Sequence, residues 1–213
     1  WVGSGDGYVS TWYDQSGNDN HATQNTATRQ PKIVEGGVMV DGGLKFEGAQ
    51  WIGIDSDIGL SGDDNPISYF TVADAGSTDV GDYGANIVSL GNSTSSQPLS
   101  YLAKHRTEYR FLERDDAANL APYSVGTFSA PSVFTGITTG NDRAIYVDGD
   151  NIGSNSVNLG QRTFDRFTIG ALRRSSTQNF LNGTIQEIIL YDSDQSANRE
   201  AIETNINDHY EIY

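Results

Sequence analysis

The sequence predicts an all-β sandwich closed by a single helix. Three observations carry this. Apolar and polar residues alternate with a period of two along most of the chain. Turn-forming clusters of Gly, Asp, Asn and Ser punctuate it about every ten residues, the spacing of sandwiches rather than of βαβ units. Only the last segment changes to a helical period. The segment 67–73 (Ile-Ser-Tyr-Phe-Thr-Val-Ala) is rich in β-formers and is closed by Asp74-Ala75-Gly76. The segment 132–138 is similar and is closed by Gly140-Asn141-Asp142. The segment 143–147 follows and runs into Asp148-Gly149, a dipeptide that favours a two-residue hairpin turn because both positions tolerate positive φ. Further strands are predicted at 44–47, 51–54, 85–90, 99–103, 108–113, 166–172 and 184–191. After the last of these, Ala197, Ile202, Ile206 and Tyr210 fall near one helical stripe, which predicts a helix over 197–209 with Ser196 as its N-cap and Asp194 near the positive end of its dipole.

The chain has 213 residues, no cysteine, one methionine and a formal charge of −15. Its 36% apolar content is enough for a core, which argues against wholesale disorder. The missing cysteines exclude a disulfide scaffold, a thiolate zinc site and a thiol nucleophile. The negative charge argues against nucleic acid as a partner, since phosphate neutralisation needs clustered Lys and Arg. No apolar run reaches the ~18 residues of a membrane-spanning helix, so no membrane insertion is expected. Acidity comes mostly from 20 Asp against 8 Glu, and much of it sits in Gly-, Asn- and Ser-rich turns where Asx side chains bond their own backbone. No linker or repeat interrupts the chain, so 1–213 reads as one domain, and the start at Trp1 in mid-phrase reads as a fragment of a longer polypeptide.

Two stretches carry a resemblance. One is Val9-Ser10-Thr11-Trp12-Tyr13-Asp14-Gln15-Ser16-Gly17-Asn18-Asp19-Asn20-His21, followed by Gln30-Pro31-Lys32-Ile33. The other is Phe180-Leu181-Asn182-Gly183-Thr184-Ile185-Gln186-Glu187 through Tyr191, followed by the predicted helix. Together they resemble the laminin-G-like, concanavalin-A-like jelly-roll superfamily. The Trp-Tyr-Asp-Gln-Ser-Gly-Asn phrase is similar to one in large bacterial surface proteins, in bacteriophage tail and virion proteins and in a family of α-L-arabinofuranosidases. The resemblance implies a jelly-roll β-sandwich, an extracellular or virion-surface location, and neighbouring virion or adhesin domains of one parent chain as partners. It also implies that Glu187 is a structural glutamate paired with an arginine. The superfamily hosts lectins, glycosidases and plain structural modules, so it speaks for fold more than for function.

Candidate ligand-binding residues are Trp12, Tyr13, Asp14, Gln15 and Asn18, with Asn20 and His21 beside them, and Trp51. Aromatic faces beside amides and carboxylates can stack a sugar ring and bond its hydroxyls. The plainer alternative makes Trp12 and Trp51 core residues and Asp14 with Ser16-Gly17-Asn18 a self-bonded turn. Candidate metal ligands are Asp55, Asp57, Asp63 and Asp64, clustered in one predicted loop. Ca²⁺ takes six to eight such oxygens and is common in the superfamily that the chain resembles; the alternative is surface turns, as it is for the pairs Asp79/Asp82 and Asp148/Asp150. No EF-hand spacing occurs. His21, His105 and His209 are scattered, which points to neither zinc nor a Ser-His-Asp triad. Glu108 and Glu113 stand five apart on one predicted strand and so face opposite sides, which bars them from acting as a glycosidase pair. Cationic residues concentrate at Lys104-His105-Arg106, Arg110, Arg114 and Arg173-Arg174. They read as internal partners for the excess Asp or, interleaved with Tyr109 and Phe111, as contacts to an anionic glycan.

The function expected from the sequence is therefore a non-catalytic recognition or attachment module that binds a glycan or another host-surface component, with or without Ca²⁺. Two alternatives stand beside it: a structural decoration or spacer domain of a virion or adhesin, and a glycoside hydrolase of unrecognised family.

Overall fold

The computed structural model describes residues 3–76 and 83–213, so the Asp79/Asp82 pair lies outside the described residues. Two antiparallel sheets face each other, as predicted. In the first, neighbouring strands run Gly7–Tyr8, Lys32–Glu35, Leu44–Glu47, Asn182–Tyr191, Ile67–Asp74, Ser132–Thr139, Asp142–Val147 and Asp150–Ser156, with the short Val38–Met39 strand on the flank of Lys32–Glu35. In the second the order is Leu120–Val125, Glu108–Arg114, Leu99–His105, Ala85–Gly91, Arg166–Ile169, Ile52–Ile54, Ala22–Thr23 and Thr11–Trp12. The Asp148-Gly149 hairpin forms as expected, with φ of 50° and 86° and Val147 opposite Asp150.

Inward-facing residues of both sheets make the core, among them Phe46, Ile52, Tyr69, Phe111, Phe134 and Ile145. The helix spans Arg199–Tyr210 and lies on the outer face of the first sheet. Its Ile202, Ile206 and Tyr210 cover Phe70, Val72, Val133 and Ile137. The predicted start needs correction. Residues 196–198 form a turn, Asn198 is the N-cap, and the Ser196 amide is bonded to the Asp194 carboxylate instead. The outer face of the second sheet buries Leu99, Tyr101, Ala103 and Leu112 against Leu172. On the far flank, Val38 and Met39 are 70% and 65% exposed and belong to no core cluster.

One polar cluster crosses the core. Glu113 is wholly buried on the second sheet, and its two carboxylate oxygens each accept a 2.6 Å bond, one from Arg143 Nε on the first sheet and one from Arg162 Nη1. Ser100 and Thr138 hydroxyls donate to the same carboxylate at 3.2 and 2.8 Å, and Tyr69 donates to Ser100 at 2.8 Å. Arg143 further reaches the carbonyls of Asn141 and Val157. Two guanidiniums outnumber the one carboxylate here, so the charge balance depends on Glu113 alone. The expected Glu187–arginine pair is not formed among the described residues: the glutamate held by arginines in the core is Glu113, while Glu187 is half-exposed and hydrogen-bonded with Tyr210.

Removing one partner of a buried ion pair strands the others in low dielectric, at a cost of about 3–5 kcal/mol. Glu113→Gln is expected to lower the unfolding free energy by about that much. Urea unfolding monitored by near-UV circular dichroism checks it, and a change below about 1 kcal/mol would show that the cluster does not hold the sheets together.

Candidate functional site

A cleft of about 700 Å³ opens along the strand Asn182–Tyr191. It exists because of a local sequence choice. Gly42 and Gly43 both adopt φ of 86°, and a Cβ on Gly43 would meet the Ile185 carbonyl oxygen at 2.3 Å. Only glycine allows the chain to turn this tightly against its neighbour. The strand that follows, Leu44–Glu47, pairs with residues 182–185 and no further. From Gln186 to Tyr191 the strand keeps a single neighbour, Ile67–Asp74, and a bulge falls at Gln186 where the two-sided pairing ends.

Opposite this half-strand stand Trp12, Ala22, Ile54, Phe167 and Ile169 of the second sheet. The loop after Trp12 forms the mouth. Of the residues singled out from sequence, Trp12, Tyr13, Asp14, Gln15 and Asn18 all line the cleft. Trp12 is partly buried and packs on the core. Asp14 is consumed by bracing: Oδ1 accepts the Ser16 amide at 2.8 Å, and Oδ2 accepts the Ser16 hydroxyl at 2.8 Å and the Asn20 amide at 3.0 Å. Those bonds, the Ser16 amide first, hold its carboxyl below the usual 3.8. The Asp14 amide donates to His21 Nδ1 at 3.2 Å, and Gln15 Nε2 donates to the Tyr13 carbonyl at 3.1 Å. Tyr13 is left 61% exposed, its ring edge-on to His21 at 4.9 Å between centroids. The loop therefore spends its carboxylate on rigidity and presents an aromatic ring with the side-chain amides of Asn18 and Asn20 beside it.

Trp51 is not part of the cleft lining. The Arg173 guanidinium covers its ring at 3.7 Å, and Gln24 bonds its carbonyl at 3.0 Å. The four loop aspartates are not drawn together. Asp55 binds Arg173 Nη2 at 2.7 Å, Asp57 accepts the Gly59 amide at 2.9 Å to close its own turn, and Asp63 and Asp64 lie in a turn where Asp64 takes φ of 53°. Among the described residues no group of three His, Cys, Asp or Glu side chains is gathered for a metal. Three of the cationic residues singled out from sequence hold loops through backbone carbonyls. Arg114 and Arg174 share the Ser96 carbonyl, and Lys104 bonds the Gly76 carbonyl.

Sequence reasoning missed the other wall. Glu187, Asp192 and Tyr210 also line the cleft, and burial with the neighbouring Glu187 pushes the Tyr210 hydroxyl up. The double glycine at 42–43 was the one sequence signal for the opening. Among the described residues no helix is long and apolar enough to cross a membrane.

The bracing gives a testable outcome. A carboxyl held below 3.8 keeps its hydrogen bonds through that pH and loses them only in stronger acid. Protection of the Ser16 and Asn20 amides, followed by hydrogen exchange, is expected to persist at pH 3.8 and to vanish as acidity increases further. In Asp14→Ala it is expected to be absent at every pH. Persistence in the alanine variant would remove Asp14 from this role.

No family model and no curated protein matches the chain. Solved structures do. A GH54 α-L-arabinofuranosidase soaked with a cyclic sulfate inhibitor superposes with a TM-score of 0.69 at 14% identity, over 94% of this chain and 51% of that one. NanB in complex with Optactamide gives 0.61 at 18%, over 76% and 27%. The CBM40 domain of the Ruminococcus gnavus IT-sialidase bound to α2,3 sialyllactose gives 0.57 at 12%, over 76% and 96%. This chain thus spans about a quarter of NanB and half of the arabinofuranosidase, and nearly all of the CBM40 domain. At these identities the likeness is one of architecture: the chain is similar to lectin-like jelly-roll sandwiches of carbohydrate-binding and carbohydrate-active proteins.

Proposed function

We propose that the chain is a glycan-recognition module of an extracellular protein, holding a sugar at the mouth of the cleft without cleaving it. The observation that carries this is Tyr13, a largely exposed ring fixed by a self-bonded loop, with the Asn18 and Asn20 amides around it. An aromatic face covers the C–H side of a pyranose while amides bond its hydroxyls, and a rigid loop loses little entropy on binding. The fold it shares with a sialyllactose-bound CBM40 domain supports the same ligand class. Calcium has no part in this reading, because Asp55 is held by Arg173 and Asp57 by its own turn. A virion or adhesin parent rests on the Trp12–Asn18 phrase alone.

A second reading, glycoside hydrolysis in the same cleft, is favoured by one observation: the carboxyls of Asp14, Glu187 and Asp192 all line it. The likeness to the arabinofuranosidase over 94% of the chain supports it as well. Against it, three hydrogen bonds keep Asp14 ionised, which unfits it as a general acid, and Glu187 is engaged by Tyr210.

A glycan array is the first test, followed by titration calorimetry on the best binder. Tyr13→Ala is expected to weaken binding at least tenfold with the melting temperature unchanged. A silent array with folded protein would leave the spacer reading in place. Turnover of aryl glycosides that is lost in Glu187→Gln or Asp192→Asn would replace recognition by hydrolysis.

A further inference from the structure

We propose that the inner part of the cleft is a seat for an extended peptide strand, bound by main-chain pairing to the free edge of residues 186–191. Among the described residues, the backbone of Gln186–Tyr191 pairs only with the Ile67–Asp74 strand. Its other row of N–H and C=O groups borders the cleft and meets no partner strand among the described residues. Water satisfies such groups poorly between apolar walls, whereas a second backbone in register satisfies all of them. Gln186 adds to this, since its Oε1 is buried with no partner where the two-sided pairing stops.

The side chains specify what kind of strand fits. Ile188 and Leu190 point toward the inter-sheet core and are only partly buried, as are Ile54 and Ile58 across the cleft. An occupant with apolar residues at alternate positions would continue the line of Leu44–Glu47 and cover this inner surface. About six residues, roughly 20 Å of strand, match the length of the free edge.

Two long outer strands of the sandwich contrast with this edge. Leu120–Val125 carries Pro122, and Asp150–Ser156 is almost wholly polar, which are the usual protections against adding a strand. The 186–191 edge reads Gln-Glu-Ile-Ile-Leu-Tyr, with neither proline nor lysine. It is an edge built to be paired. The occupant is therefore an extended peptide, in the manner of β-augmentation. The seat lies deeper than Tyr13 and the loop amides, so it is independent of the sugar reading.

Hydrogen exchange on the protein alone comes first. Alternate amides of 186–191 are expected to exchange at least a hundredfold faster than those of 67–74. The probe is a synthetic heptapeptide with valine at alternate positions, threonine between them and lysine at both ends. It is expected to slow those amides at least tenfold and to raise the melting temperature with rising concentration. The same peptide N-methylated at its central residues, which keeps its apolarity and removes its donors, is expected to bind at least tenfold more weakly. Because the contrast lies in the peptide, it does not depend on any variant of the protein folding.

Four results would overturn the proposal. They are uniform protection of 186–191 without peptide, no binding at millimolar peptide, equal binding of the two peptides, or protection that appears with dimerisation of the protein itself. None of these moves the Tyr13-dependent glycan signal, so the two readings fail separately.

Discussion

The Glu113 carboxylate between Arg143 and Arg162 is the constraint on which the rest of the structure depends. Facing sheets stand about 10 Å apart, and side chains of many sizes can fill that gap. An ion cluster admits one arrangement only. Arg143 ties the carboxylate to the first sheet, and Arg162 ties it to the connection that precedes the Arg166–Ile169 strand. The same connection is pinned by the Asp115 carboxylate at Gly160, by Asp116 at Thr163, and by a bridge between Gly62 and Arg162. One buried carboxylate thus sets the spacing of the layers and anchors the loops at that end. Such clusters carry a large desolvation cost, so their contribution here is to fix geometry more than to add stability.

The cleft is the converse case. It is an opening between the two sheets, where two glycines lead into a strand that pairs with its neighbour for only four residues. Its mouth and its interior differ in chemistry. The mouth is polar and rigid, with the Asp14 carboxylate turned back on its own loop. The interior is apolar and bounded by a backbone edge with no partner strand among the described residues. Lectin-like sandwiches serve carbohydrate-binding domains and enzymes alike, so architecture cannot choose between them; the residues at the mouth have to.

The long central strands were legible in the sequence because both their faces are covered. Residues 67–74 and 132–139 are apolar or small at nearly every position, and so is Ala85–Gly91. Leu120–Val125 and Asp150–Ser156 were not read, since proline and an almost wholly polar composition argue against a strand unless it lies at an edge, and both do. The helix was legible from Ile202, Ile206 and Tyr210, but its start was not, because the Asp194 carboxylate competes for the Ser196 amide. At the site, the phrase from Trp12 to Asn18 was read as a candidate binding loop, while Glu187 and Tyr210 were read only as structural residues and not as the other wall. Their approach depends on packing between segments far apart in sequence. The same holds for Glu113, whose arginines lie 30 and 49 residues away.

The placement of sulfur has a last consequence. The chain has no cysteine, and its one methionine, Met39, lies on an exposed flank outside every core cluster. Peroxide can add an oxygen there without entering the hydrophobic interior, and no thiol exists to be lost or cross-linked. The molecule's fastening is ionic and its sulfur is superficial, so its shape is indifferent to whether its surroundings oxidise or reduce.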